Sequence, residues 1–394
     1  MRRILFVSNG HGENAIAERI ARELRAIARV PFGLDHLALV GEPSNGVLAT
    51  VGPRRTLPSG GLVAMGNVRA LTRDLRAGFV GLFASQIRFL RREGGRYDCV
   101  VAVGDVYALA LARFARRPVI FVGTAKSVYV APYGPLERRF LRGAARVFVR
   151  DSATAERLRA QGVAADAPGN TIVELADGAP PPPEELAGNS FIGILPGSRA
   201  SAYLDAVRLC GVIRALGERV APAHALLSIA PSLGPDRFAA ALAEDGWIVE
   251  PAVSSDAIAF RAHAGGATLL GWRGPLGTLL AASRLILGQA GTANEQAAAA
   301  GLPVVALDAG QRLAARAPGD EWYRMRQRRL LGDALALVPP SPGPAAAAIA
   351  ELLADSVRLE RMRVAGRERM GPRGGSRAIA NAIVEVACGA EAHA

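Results

Sequence analysis

A chain of 394 residues is too long for one hydrophobic core and predicts two domains. Half of its residues are hydrophobic and 21% are charged, an ordinary balance for a soluble globular protein. No apolar run approaches the roughly 18 residues that a membrane-spanning helix needs. The net charge of +12 is almost wholly arginine, since Lys126 is the only lysine in an Ala-, Gly- and Pro-rich chain. With no aromatic-rich basic ribbon and no nucleic-acid motif, the charge alone does not indicate a nucleic-acid partner, and none is expected. Cys99, Cys210 and Cys388 are odd in number and form no CxxC pair, and the five histidines lack ligand spacing. Neither disulfides, structural zinc nor a cofactor is therefore expected, and a reducing cytoplasmic setting is.

The apolar part of Met1–Ser8 is too short for a signal peptide, so Ile4–Val7 reads as a first strand. Ser8-Asn9-Gly10-His11-Gly12-Glu13 follows as a glycine turn, and Asn14–Ala28 as a helix with apolar residues at Ile16, Ile20, Leu24 and Ile27. Strand, glycine loop and helix open a doubly wound sheet. The turn is not GxGxxG and no acid follows a clear second strand, so NAD is not expected. His11 and Glu13 are candidates for a base, and Gly10 and Gly12 for close approach of a ligand. Leu62–Arg92 is a mostly helical stretch in which Arg69, Arg73, Arg76, Arg88, Arg91 and Arg92 alternate with aromatic and aliphatic residues. Such a segment suits an anionic membrane surface, or equally a core-facing helix pair with a solvated arginine face.

Tyr97–Asp105 is a buried strand ending in Gly-Asp, with Pro118–Val122 the next. An acid at the carboxyl end of a parallel strand lies where ligands bind, which makes Asp105 the first candidate for a general base; a helix N-cap is the alternative. Lys126, after the Gly123-Thr124 turn, is a further candidate on the acceptor side. Val147–Arg150 is another strand and Pro168–Thr171 a turn. Ala179-Pro180-Pro181-Pro182-Pro183 then reads as a semi-rigid linker.

The second half repeats the pattern. Phe191–Leu195 is a strand, Pro196-Gly197-Ser198-Arg199 a turn, and Tyr203–Leu216 a helix. N–H donors, one hydroxyl and a planar cation at a helix entrance suit a diphosphate. Ala225–Ile229 and Ile248–Val249 are further strands. Leu285–Leu307 is a tight β-α-β unit: an apolar run, the turn Gly288–Thr292, a short Ala-rich helix, Gly301-Leu302-Pro303 and a second apolar run. Its turn directs a helix N-terminus at the ligand edge. Gln289, Gly291, Thr292, Asn294, Glu295 and Gln296 are the candidate contacts there. Arg358–Arg369 and Arg377–Cys388 are the closing helices.

Ile194–Arg199 (ILPGSR), Ala290–Val305 (AGTANEQAAAAGLPVV), the AMG…L segment Ala64–Leu71 and the RRLLGDALALV run after Gln327 resemble lipid-A-disaccharide synthase. The Gly10-His11-Gly12 and Gly169-Asn170-Thr171 triplets are more distantly similar to the lipid II-forming N-acetylglucosaminyltransferase. The resemblance implies a GT-B fold: two Rossmann-like α/β doubly wound domains facing across a cleft. Residues 1–175 would form the acceptor and base domain, 176–190 the linker and 191–374 the UDP-sugar donor domain. Residues 375–394 would be a helix crossing back. It further implies inverting, metal-independent transfer to a lipid or glycolipid acceptor at the cytoplasmic membrane face. Gly197, Ser198, Arg199 and the Gly291-Thr292 turn would meet the diphosphate.

The chain departs from the family at named positions. Counting back from Pro303, the ribose-binding Glu falls on Gln296, with Glu295 one residue early. Ala202 replaces the acid usual after PGSR, Arg69 replaces another, and the paired acids after the central strand are reduced to Asp105. A relative with different substrates is the reading that follows. Two others stay open: a nucleotide-sugar binder without catalysis, and an isomerase similar to UDP-N-acetylglucosamine 2-epimerase.

Overall fold

The computed structural model describes residues 1–39, 46–54, 78–186, 191–220, 222–252, 257–308 and 318–389, with the backbone alone for 11, 79 and 318–324. The chain forms two compact units, Met1–Leu175 with Gly371–Ala394, and Ala176–Met370.

In the first unit, β1 (Arg2–Ser8), β2 (Phe32–Ala38), β3 (Ala49–Thr50), β4 (Cys99–Gly104), β5 (Val119–Gly123) and β6 (Arg146–Val149) form one parallel sheet. Their order is β3-β2-β1-β4-β5-β6, the doubly wound arrangement whose direction reverses between β1 and β4. Helices cover both faces, so the strands read as continuous apolar runs with alternate residues facing opposite ways. Leu5, Val7, Val100 and Ala102 meet Leu90, Leu109 and Leu111 on one face. Ile4, Phe6, Val101 and Val103 meet Ile16, Ile20, Ile379 and Ile383 on the other. The last two residues lie on the Gly375–Cys388 helix. Glu174, 3% exposed, accepts from Gly374 N at 2.7 Å and Ser376 N at 3.1 Å, and so satisfies the free amides where that helix begins.

β2 is the strand that the sequence pattern conceals, because Asp35 and His36 interrupt its apolar run. Both are buried and meet partners on other elements: Asp35 accepts from Arg3 and from the Tyr97 hydroxyl, and His36 Nε2 lies 2.7 Å from Ser8 Oγ. Ser8 donates its proton to Asn14 Oδ1 at 2.6 Å, so His36 must donate to Ser8. His36 Nδ1 is then an acceptor, buried with no partner. Burial lowers the His36 pKa from 6.5 to about 4, while the negative charge of Glu18 acts the other way. Between those two values the unfolded chain holds a proton that the folded chain does not. Stability is therefore full above pH 6.5 and declines as pH falls toward 4. Denaturant midpoints measured across this window should fall more steeply for the wild type than for His36→Asn. Parallel curves would remove His36 from the acid sensitivity.

The helix Phe79–Glu93 is all that is described of the basic stretch; residues 62–77, with the AMG…L segment and Arg69, lie outside the described residues. Leu82 and Leu90 are buried, and Phe83, Ile87 and Phe89 pack on the same core, Phe83 stacking on Tyr107 at 6.2 Å. Arg88, Arg91 and Arg92 face outward. The apolar side of this helix thus belongs to the core, so of the two readings of this stretch these residues follow the core-facing one, with a solvated arginine face. Among the described residues no helix is long and apolar enough to cross a membrane.

The second unit holds β7 (Phe191–Leu195), β8 (Ala223–Ser228), β9 (Ile248–Pro251), β10 (Ile258–Ala264), β11 (Ala267–Trp272), β12 (Ser283–Gly288), β13 (Val304–Leu307) and β14 (Leu335–Val338). The order is β14-β13-β12-β7-β8-β11-β10-β9. The six strands from β14 to β11 are parallel, and β10 and β9 add an antiparallel edge, of which the sequence reading contained β9, as Ile248–Val249, but not β10. The Pro-rich segment packs with this unit: Thr278 Oγ1 donates to Pro180 O at 2.7 Å.

Candidate functional site

At the carboxyl edge of the first sheet, the ends of β1, β4 and β5 bring the predicted acids together. The helix after β1 begins at His11 and runs to Ile27. His11, Gly12 and Glu13 therefore occupy its first turn instead of a loop, with Gly10 as the extended N-cap residue. Asp105 caps the Val106–Ala112 helix, its Oδ1 accepting from Tyr107 N at 3.0 Å and Ala108 N at 3.2 Å. Asp105 thus caps a helix, one of its two readings, and does so at the switch between β1 and β4. Burial raises its pKa above the usual carboxylate value, against the lowering effect of those amides and of the Asn9 side chain. Asn9, which the sequence reading did not single out, lies directly over Gly104. A Cβ there would come within 2.1 Å of Asn9 Oδ1, and the backbone is at φ 131°, so glycine is required. Thr124 Oγ1 donates to Glu13 Oε1 at 3.4 Å. Lys126 is paired with Glu137 at 2.7 Å, and Glu137 also accepts from Gly134 N.

The second unit has its own switch point, between β7 and β12, and the two predicted phosphate turns leave from these neighbouring strands. Gln289 N and Ala290 N both donate to Leu195 O, at 2.9 and 3.1 Å, which joins the Gln289–Thr292 turn to the base of Pro196–Arg199. Gly197 has φ 110°, a conformation that side chains disfavour, and a Cβ at Gly197 or Gly291 would meet no atom within 4 Å. Ser198, Arg199, Gly291 and Thr292 are exposed.

The remaining predicted contacts turn inward. Asn294 donates to Gly288 O at 3.2 Å and is 2% exposed. Glu295 is equally buried and faces Arg326 and Gln327, and Gln296 is 7% exposed. Gln289 Nε2 reaches Leu307 O at 3.3 Å, bridging the ends of β12 and β13. An Ala-rich helix covered by later helices leaves its polar first turn no outward side for these three residues: Gly366 of the Ser356–Met370 helix lies against the Ala298 backbone. Arg326 and Gln327, just before the RRLLGDALALV run, were not among the predicted contacts. Among the described residues no three His, Cys, Asp or Glu side chains gather as metal ligands.

Two doubly wound parallel-sheet units, the second with paired glycine turns at its switch point, define the GT-B class of fold. Solved structures with the same fold along nearly the whole chain agree. A UDP-N-acetylglucosamine 2-epimerase, so named provisionally, from Listeria monocytogenes aligns at TM-score 0.61 and 14% identity, over 97% of this chain and 96% of its own. CalG4, the calicheamicin glycosyltransferase, aligns at 0.58 and 17%, over 100% and 99%. MurG of Acinetobacter baumannii aligns at 0.56 and 13%, over 98% and 100%. At these identities the likeness is one of fold. No protein-family profile and no curated protein matches the sequence.

Proposed function

We propose that this chain is an inverting glycosyltransferase that takes a sugar from a UDP-sugar and passes it to a lipid-linked or glycolipid acceptor. The observation that carries the reading is the joining of the Pro196–Arg199 and Gln289–Thr292 turns at Leu195, on adjacent strands of the second unit. Backbone N–H groups, the Ser198 hydroxyl and the Arg199 guanidinium would hold the diphosphate, and their positive character would stabilise UDP as it leaves. In the first unit Asp105 would take the proton of the acceptor hydroxyl. The acceptor oxygen then bonds to the anomeric carbon as the bond from that carbon to the phosphate oxygen breaks. An anionic membrane surface is the further partner proposed, met by the charge of Arg88, Arg91 and Arg92.

A second reading, sugar isomerisation, is favoured by the fold match to a protein named as a UDP-N-acetylglucosamine 2-epimerase. One assay separates them. Incubated with UDP-N-acetylglucosamine and other UDP-sugars, a transferase releases UDP only when a glycolipid acceptor is added and leaves the sugar ring unaltered. An inverted ring carbon without acceptor identifies the isomerase. UDP bound in calorimetry with no turnover of any kind identifies a binding protein.

A further inference from the structure

The Thr292–Ala299 helix carries an acid in its first turn, next to the donor turn. Glu295 Oε1 lies 3.3 Å from Arg326 Nη1 and 3.4 Å from Gln327 Nε2; the Glu295 side chain is 2% exposed and that of Arg326 18%. Gln327 Nε2 also donates to Gly291 O at 3.2 Å. A planar trans peptide points its C=O and N–H in opposite directions, so holding the Gly291 carbonyl inward directs the Thr292 N–H away from Gln327, out of the helix end.

A buried carboxylate in the first turn suits the helix dipole, but it opposes a second negative charge arriving at the same end. Left unpaired in the interior it would repel a diphosphate and carry a large desolvation cost. Arg326 supplies the opposite charge from the Pro318–Leu331 helix. Gln327 fixes the carboxylate and the turn together.

We infer that Arg326 and Gln327 are positioning residues of the donor turn, holding Glu295 inward as the counter-ion of Arg326, so that Glu295 is not a ligand of the nucleoside. This rests on the reading that the turn takes a nucleotide diphosphate. The test is calorimetric binding of UDP and of uridine to the wild type, Glu295→Gln, Arg326→Met and the double variant. Glu295→Gln should bind UDP at least as tightly as the wild type and uridine unchanged. Arg326→Met should weaken UDP by about tenfold or more, with uridine within about twofold, and the double variant should recover UDP to within about threefold. A Glu295→Gln variant weakened toward uridine and UDP alike would place Glu295 on the nucleoside and overturn the inference. Equal losses of UDP and uridine in Arg326→Met would make the pair merely structural. Should Arg326→Met fail to fold, Glu295→Gln and the double variant still decide, since neither carries an unpaired buried carboxylate. A wild type that binds uridine or nothing, but not UDP, removes the functional reading and this inference together; the patterns above remove the inference alone.

Discussion

Asp105→Asn is expected to lower turnover at least about a hundredfold while leaving UDP affinity and thermal stability close to those of the wild type. The separation follows from the difference between the observed cap and the proposed role as base. Its Oδ1 accepts from Tyr107 N and Ala108 N, and an Asn side-chain oxygen can accept the same two bonds. What Asn cannot do is take a proton. Burial holds the Asp105 pKa above the ordinary carboxylate value, which strengthens it as a base at neutral pH. Asp105→Ala would confound the result, because losing the cap costs about 1 kcal/mol by itself. Steady-state turnover, UDP calorimetry and the melting temperature of the Asn variant together check the prediction. Near-normal turnover would pass the role to Glu13, the neighbouring acid in contact with Thr124.

Arg199→Ala should weaken UDP binding by about 2–3 kcal/mol, roughly 30- to 150-fold, with uridine affinity unaltered. Arg199 is exposed at the end of β7, beside the open Gly197 backbone and joined through Leu195 to the second glycine turn. A guanidinium there can form two parallel bonds to phosphate oxygens. Arg199→Lys restores the charge but not the fork, so an intermediate affinity is expected. Unchanged UDP affinity in the folded Ala variant would take Arg199 out of the site.

The sequence by itself determined the parallel, doubly wound character of both units and the positions of the glycine turns after β7 and β12. Strands covered on both faces are mostly apolar along their whole length, so Ile4–Val7, Cys99–Gly104, Phe191–Leu195 and Leu285–Leu287 announce themselves without any knowledge of their neighbours. A glycine turn between such a strand and a helix is equally local. The β9–β10–β11 edge was less visible: Arg261 and His263 break the pattern of β10, although the Gly265-Gly266 pair between β10 and β11 is a recognisable hairpin signal.

Only the tertiary structure decided what the polar residues do. β2 is a core strand because Arg3, Ser8 and Tyr97, from elsewhere in the chain, bond to Asp35 and to His36 Nε2; nothing within Phe32–Ala38 reveals those partners. The same holds at the turn after β12. Thr292, Asn294, Glu295 and Gln296 are alike in sequence as polar groups at a helix start, yet Thr292 faces outward while the other three are buried. The difference is made by Gly288 of the preceding strand and by helices 30 and more residues further on, Arg326 and Gln327 among them. A buried polar group is stable only where a partner meets it. Long-range packing brings that partner, so local spacing could locate this turn without saying which of its side chains point outward.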